Sequence, residues 1–155
     1  MTQKETEFSA KSHGRVLLAE DDLRDVELTL EAFREHNLLN EVDVVRDGVE
    51  ALEYLNAQGK FAGREQRNPV LILLDLKMPR LNGIEVLRAI RSSERLRLIP
   101  VMILTSSQES RDLQECYGLG ANAYVVKPVD FREFVESVKT AGVFWALINQ
   151  PPLPG

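Results

Sequence analysis

The chain has 155 residues, of which 44% are hydrophobic and 28% charged, which suits one folded α/β domain and excludes a disordered or fibrous protein. Its net charge of -5 argues against nucleic-acid binding, which normally requires a basic face. The single cysteine, Cys116, rules out an internal disulfide, and the polar start lacks the apolar stretch of a signal peptide. No apolar run is long enough to span a membrane. We therefore expect a cytoplasmic protein.

The predicted organisation is one domain between two short extensions. Residues 1–14 are polar and without apolar periodicity, which predicts a flexible arm. The domain is expected over 15–149, followed by a Pro-rich extension at 150–155. Because little chain remains after Ile148, we expect no output domain, so the effect of the protein must pass through contacts with partners.

Five short apolar runs have the length and β-branched content of strands. They are 16–19, 42–45, 70–74, 101–104 and 123–126. Four of them are continuously apolar, which predicts strands covered on both faces, whereas 42–45 alternates and is expected near a sheet edge.

Helical patterns lie between these runs. Four of them start with pairs that resemble N-terminal caps, namely Asp47 with Glu50, Asn82 with Glu85, Ser106 with Glu109, and Asp130 with Glu133. The first helix is predicted from about Asp22 to His36. The last is predicted to bury one stripe, which consists of Phe134, Val138, Ala141, Trp145 and Ile148. Strand and helix alternate five times, which predicts a doubly wound parallel sheet with helices on both faces and a functional site at the carboxyl ends of its strands.

Polar residues follow the predicted strands at those carboxyl ends. Glu20 and Asp21 follow the first strand and Asp75 the third, and because these strands are expected to be neighbours, the three acids would repel one another unless protonated or bridged by a cation. Carboxylate oxygens suit Mg²⁺, which is therefore the predicted cofactor.

The same edge contains the parts needed for phosphoryl transfer. A carboxylate such as that of Asp75 can attack phosphorus, and the metal, Lys127 and the hydroxyl of Thr105 can each hold one phosphoryl oxygen.

Four motifs together resemble the receiver domain of bacterial two-component response regulators, over about residues 15–148. They are Glu20-Asp21, Asp75-Leu76-Lys77-Met78-Pro79 with Gly83, Leu104-Thr105-Ser106, and Tyr124-Val125-Val126-Lys127-Pro128. The resemblance implies a flavodoxin-like strand order, 2-1-3-4-5, and a sensor histidine kinase as the phosphoryl donor. It also implies the roles of the site residues, with Asp75 as the phosphoacceptor. The implied metal ligands are Asp21 directly, Glu20 often through water, and Lys77 through its backbone carbonyl. Thr105 and Tyr124 would form the switch pair, and a cis bond to Pro128 would direct Lys127 inward.

A narrower resemblance concerns the end of the chain. Phe144-Trp145 followed by Pro151 to Pro154, together with the polar stretch 54–68, is similar to the single-domain regulators that partner phytochrome kinases. This similarity implies a bacteriophytochrome as the kinase.

The last helix also has apolar residues outside its inward stripe. They are Val143, Phe144 and Leu147, and an exposed apolar patch of this kind predicts a homodimer through the face of that helix. In the alternative, residues 151–154 fold over Phe144 and keep the protein monomeric.

Each site residue also has a structural explanation. The acids at Glu20 and Asp21 complement a helix dipole, Asp75 suits a turn, Thr105 suits a helix cap, and Tyr124 suits a half-buried strand. The presence of all these residues at one edge of the sheet favours a role in phosphoryl transfer over these separate structural roles. Two alternative functions are disfavoured. An aspartate-nucleophile phosphatase normally has a second acid, its general acid, where this chain has Lys77. An adaptor that acts without phosphorylation would not need the acids, the threonine and the lysine that this chain retains.

Overall fold

A computed structural model describes residues 14–65, 67–106, 109–127, 130–142 and 144–146 of the chain. Its strands are β1 (Arg15–Ala19), β2 (Glu41–Val45), β3 (Leu71–Leu74), β4 (Val101–Thr105) and β5 (Ala123–Val126). Its helices are α1 (Leu23–Glu35), α2 (Gly48–Asn56), α3 (Gly83–Ser92), α4 (Ser110–Gly118) and α5 (Phe131–Thr140), with short 3₁₀ turns at Gly59–Phe61 and Phe144–Ala146. Within these ranges, no helix is long and apolar enough to cross a membrane.

The five strands form one parallel sheet in the order β2-β1-β3-β4-β5, which confirms the predicted order and the position of β2 at an edge. The central pairing of β1 with β3 aligns Ala19 with Leu74. The next residues along the two strands, Glu20 and Asp75, therefore leave the sheet side by side.

Alternate residues of the continuously apolar strands enter two separate cores. Leu17 and Leu74 pack on the side of the sheet covered by α2, α3 and α4, whereas Leu18 and Leu73 pack on the side covered by α1 and α5. All four are buried. Each fully buried side chain of this kind stabilises the fold by about 1.5–3 kcal/mol relative to an exposed one. The ends of β1 and β3 are thus anchored from both faces, which fixes the positions of the side chains that follow them.

Three of the four predicted helix caps are confirmed by hydrogen bonds from the backbone to the cap side chain. They are Glu50 to Asp47 at 2.8 Å, Glu85 to Asn82 at 3.0 Å, and Glu133 to Asp130 at 2.7 Å. The prediction for Ser106 was wrong, because α4 begins at Ser110 with Glu109 in the cap position. The chain is still extended at Thr105, whose carbonyl accepts a hydrogen bond from the Lys127 amide at 2.8 Å.

The predicted inward stripe of the last helix was correct only in part. Phe134 and Val138 are buried, but Trp145 is 64% exposed. Helix α5 ends at Thr140, and Gly142 follows with a φ of +74°, a left-handed conformation that commonly terminates helices. The change of direction turns Trp145 away from the core and buries Ala146 instead. Of the other two members of the stripe, Ala141 is partly buried against the core and Ile148 lies outside the described residues.

The buried side chain of Asn40 joins the two ends of the described chain. Its amide donates to the carbonyl of Ala146 at 3.0 Å and to the carbonyl of Gly14 at 3.3 Å. The 3₁₀ turn after α5 is thereby held against the entry to β1.

Candidate functional site

The backbone of the sheet fixes the two acids that follow β1 and β3. The amide of Glu20 donates to Val45 at 2.9 Å, and the amide of Asp75 donates to Ala19 at 3.0 Å. Both residues therefore continue the hydrogen bonding of the sheet by one step beyond the strands. Their carboxylates are buried, at 3% and 7% exposure.

The carboxylates of Glu20, Asp21 and Asp75 form a cluster at this edge. One oxygen from each lies within 4.8 Å of the others. Carboxylate oxygens gathered this closely are the ligands that a hard divalent cation such as Mg²⁺ prefers, with water completing its shell. Burial raises the pKa of Glu20 to about 7, and the charge of Asp75 adds to the effect, although hydrogen bonds from Lys127 and the Asp22 amide oppose it. Glu20 thus resists ionisation in the absence of a cation.

Lys127 supplies the positive charge beside this cluster. Its amine donates to Glu20, to Asp25 at 2.9 Å and to Asp75 at 3.2 Å. Burial alone would lower the pKa of Lys127, but the hydrogen bonds to Glu20 and Asp25 and the charge of Asp75 outweigh it and raise the pKa above its ordinary value. The amine is therefore protonated throughout the physiological range.

Asp25 was not among the residues predicted from the sequence. It lies in the first turn of α1, where Asp22 caps the helix by accepting hydrogen bonds from the amides of Arg24 at 2.8 Å and Asp25 at 3.3 Å. The available signal was its place in the first turn of the helix that follows β1, because that turn starts at the carboxyl edge of the sheet where the site is expected. An acid in a first turn also complements the helix dipole, which made Asp25 resemble an ordinary structural residue.

The two predicted switch residues lie on neighbouring strands. Thr105 ends β4 and is fully buried. Tyr124 lies in β5, pairs with Ile103 of β4, and packs half-buried against the core on the side of α2, α3 and α4. Because side chains alternate along a strand, Thr105 and Ile103 face the same side of the sheet, and Tyr124 shares it.

The loop after β3 is held close to Asp75. The amide of Lys77 donates to the carboxylate of Asp75 at 3.3 Å, while the side chain of Lys77 is exposed. At the end of the loop, a Cβ atom at Gly83 would overlap the carbonyl oxygen of Asp75, so only glycine allows this approach. The predicted cis bond after Lys127 lies outside the described residues, since Pro128 is not among them.

The strand order is the one that the resemblance to receiver domains implies, and the sheet brings Glu20, Asp21, Asp75 and Lys127 together at its carboxyl edge. A family model described as "Response regulator receiver domain" matches residues 16–139, and the chain belongs to this family. It is thus a signalling protein of the two-component class.

Several relatives are phytochrome response regulators, which confirms the narrower resemblance. The solved bacteriophytochrome response regulator RtBRR is 57% identical, with a TM-score of 0.80 over 90% of this chain and 84% of its own. The bacteriophytochrome response regulator AtBRR is 51% identical, with a TM-score of 0.79 over 88% and 98%. Response regulator Rcp1 of Synechocystis is 34% identical over 130 residues, 84% of this chain and 87% of Rcp1. The Mn²⁺-bound form of Rcp1 superposes with a TM-score of 0.73 at 32% identity, over 92% of this chain and 99% of that chain.

Proposed function

We propose that Asp75 accepts a phosphoryl group from the phosphohistidine of a sensor histidine kinase in a Mg²⁺-dependent reaction. A carboxylate oxygen of Asp75 forms a bond to phosphorus, the bond from phosphorus to the imidazole nitrogen breaks, and the nitrogen keeps the electron pair. The observation that carries this proposal is the amine of Lys127, 3.2 Å from a buried aspartate inside a cluster of acidic oxygens.

The proposed metal ligands are Asp21, Asp75 and the carbonyl of Lys77, with Glu20 acting through water. Hard oxygen donors gathered in this way suit Mg²⁺, and the existence of an Mn²⁺-bound form of the relative Rcp1 supports binding of a divalent ion. When bound, the ion neutralises charge on the oxygens at the reacting phosphorus. Its charge also offsets the repulsion among the three carboxylates.

The other residues at this edge are proposed to hold the product and report its presence. Lys127 exchanges one of its acidic partners for a phosphoryl oxygen, and the hydroxyl of Thr105 donates to another. As Thr105 moves toward the phosphoryl group, the ring of Tyr124 turns into the space that it leaves. A charge-assisted hydrogen bond of about 1.5–3 kcal/mol is sufficient to shift a near-balanced equilibrium of this kind.

The proposed partner is a bacteriophytochrome histidine kinase, because RtBRR and AtBRR are bacteriophytochrome response regulators. The phosphorylated chain then relays its phosphoryl group to a further histidine or docks on a target. The cytoplasm is the proposed compartment, in keeping with the buried free thiol of Cys116.

We further propose a homodimer through the face formed by α5 and the residues after it. The exposed ring of Trp145 adds to the apolar surface predicted there, whereas Val143, Leu147 and the side chain of Phe144 lie outside the described residues. Sedimentation of the wild type and a Phe144→Glu, Leu147→Glu double variant at micromolar concentration tests this proposal. A wild type that stays monomeric, with and without beryllofluoride, would contradict it.

The phosphoacceptor is tested by intact-mass analysis after incubation with a phosphorylated bacteriophytochrome kinase. The wild type should gain one phosphoryl group, and Asp75→Asn should gain none because an amide cannot form the acyl phosphate. The matched control is Asp112→Asn on α4, outside the acidic cluster, which should be labelled like the wild type. Labelling of Asp75→Asn at the wild-type stoichiometry would contradict the assignment.

A further inference from the structure

The turn between β2 and α2 contacts both loops of the proposed metal site. The guanidinium of Arg46 donates to the carbonyl of Asp21 at 2.9 Å, in the loop after β1. The next residue, Asp47, accepts two hydrogen bonds from Arg80, at 2.9 and 3.0 Å, in the loop after β3. Two adjacent residues outside the acidic cluster therefore hold the two segments that carry its ligands.

Arg80 has a backbone conformation that its own side chain does not favour. Its φ is +65°, in the left-handed region that glycine adopts readily and other residues adopt rarely. Such a conformation persists where surrounding contacts hold it. Two kinds of contact hold it here: a backbone hydrogen bond from the Leu81 amide to the Pro79 carbonyl at 2.8 Å spans Arg80, and the paired hydrogen bonds to Asp47 fix its side chain.

Asp47 is a firm anchor for this contact. Its side chain is only 13% exposed, and it also caps α2 by accepting from the Glu50 amide at 2.8 Å. Although burial opposes ionisation, the hydrogen bonds from the Glu50 amide and Arg80 hold the pKa of Asp47 below its usual range. Next to it, a Cβ atom at Gly48 would overlap the carbonyl oxygen of Leu81, so the start of α2 packs directly on the loop that contains Arg80.

We propose that Arg80 and Asp47 form a clamp that positions the loop after β3, so that the carbonyl of Lys77 is presented to Mg²⁺. Lys77 precedes Arg80 by three residues in the loop after β3. The loop contacts Asp75 at its start through the Lys77 amide and at its end through Gly83, and the clamp fixes the middle of the loop. Arg80 is thus a positioning residue that acts through Lys77. This inference rests on the proposed function, because it concerns the same metal site.

The experiment measures the Mg²⁺ affinity of the full chain by calorimetric titration, together with its melting temperature. Arg80→Ala removes the clamp and leaves a residue that disfavours the left-handed conformation, so Mg²⁺ should bind about tenfold more weakly, as when other supports of metal ligands are lost. Arg80→Gly removes the clamp but tolerates the backbone, and should lie between Arg80→Ala and the wild type. Arg80→Lys, which keeps the charge, should also recover part of the loss.

The matched control is Arg88→Ala. Arg88 makes an ion pair with Glu115 at 3.1 Å between α3 and α4, and its side chain is 56% exposed, the same value as that of Arg80. The control should lower the melting temperature by a similar small amount and leave Mg²⁺ affinity unchanged, which separates positioning from general stability.

The outcomes distinguish this inference from the proposed function. Equal Mg²⁺ affinity in Arg80→Ala, Arg80→Gly and Arg88→Ala, with a wild type that binds Mg²⁺ and accepts phosphoryl groups, would overturn the clamp alone. A wild type that neither binds Mg²⁺ nor is phosphorylated would overturn the proposed function and the clamp with it. Mg²⁺ affinity that falls from the wild type to Arg80→Gly and again to Arg80→Ala, with Arg88→Ala unchanged, supports the clamp.

Discussion

The amine of Lys127 donates to Asp25 at 2.9 Å, a shorter hydrogen bond than the 3.2 Å bond that it makes to the candidate phosphoacceptor. Asp25 is half-buried in the first turn of α1. The amine of Lys127 is thus shared among Glu20, Asp25 and the proposed phosphoacceptor Asp75. With Asp75 phosphorylated as proposed, Asp25 would compete with the phosphoryl group for the amine of Lys127.

Replacing Asp25 by Asn should therefore strengthen binding of the phosphoryl analogue beryllofluoride in the presence of Mg²⁺. The amide keeps part of the hydrogen bond but loses the charge, so we expect a gain of about threefold in affinity. Fluorescence or calorimetric titration measures it, with Glu27→Gln on the exposed part of α1 as the control. Weaker binding by Asp25→Asn would mean that Asp25 supports the active position of Lys127.

Substitutions in the acidic cluster and at Lys127 should differ in their effect on Mg²⁺ affinity. Asp21→Ala removes a hard anionic ligand and should weaken Mg²⁺ binding severely, whereas Lys127→Ala should leave Mg²⁺ binding intact and abolish the conformational response to phosphorylation. Metal titration of both variants tests this division. An equal loss of affinity in the two would refute it.

The hydroxyl of Thr105 should be needed for signalling and dispensable for phosphorylation. Thr105→Val keeps the shape of a fully buried side chain and removes its hydrogen-bonding group. The variant should be labelled like the wild type and bind its partner weakly in a phosphorylation-dependent pull-down. Partner binding at the wild-type level by the labelled variant would show that Thr105 does not transmit the signal.

Glu20 should make both stability and metal binding depend on pH. Its pKa of about 7 in the folded protein exceeds the ordinary 4.5, so the folded state holds a proton more tightly than the unfolded state. The resulting stabilisation is complete below pH 4.5 and is lost as pH rises through 7. Because Mg²⁺ competes with this proton, its affinity should rise about tenfold from pH 6 to pH 8.

Thermal unfolding without metal and Mg²⁺ titration at several pH values measure both effects of Glu20. The control is Glu20→Gln, which has no proton to lose and should flatten both profiles. A wild-type Mg²⁺ affinity that does not change between pH 6 and pH 8 would contradict the role of Glu20.

The sheet and most of the candidate site follow from local patterns in the sequence. Continuous apolar runs such as 70–74 predict strands buried on both faces, and parallel strands bring the residues that follow them to one edge. This reasoning predicted that Glu20 and Asp75 would meet there, before any side-chain geometry was known.

The features that were missed depend on a choice between similar local signals. Ser106 resembles a cap as closely as Asp47 does, but the hydrogen bond from Lys127 to Thr105 keeps the chain extended at that point. The helical spacing of apolar residues continues past Gly142, which wrongly predicts a buried Trp145, because the left-handed backbone of Gly142 ends the helical direction there. The clamp between Arg80 and Asp47 joins residues 33 positions apart, and no local pattern indicates such a contact.

The double hydrogen bond of Asn40 has a consequence for truncation experiments. Since one buried amide donates to the carbonyls of Gly14 and Ala146, a truncation that reaches either residue removes a partner from the same side chain. Deletions at the two termini will then be non-additive, and loss of the last turn will loosen the start of β1 more than 100 residues away in sequence.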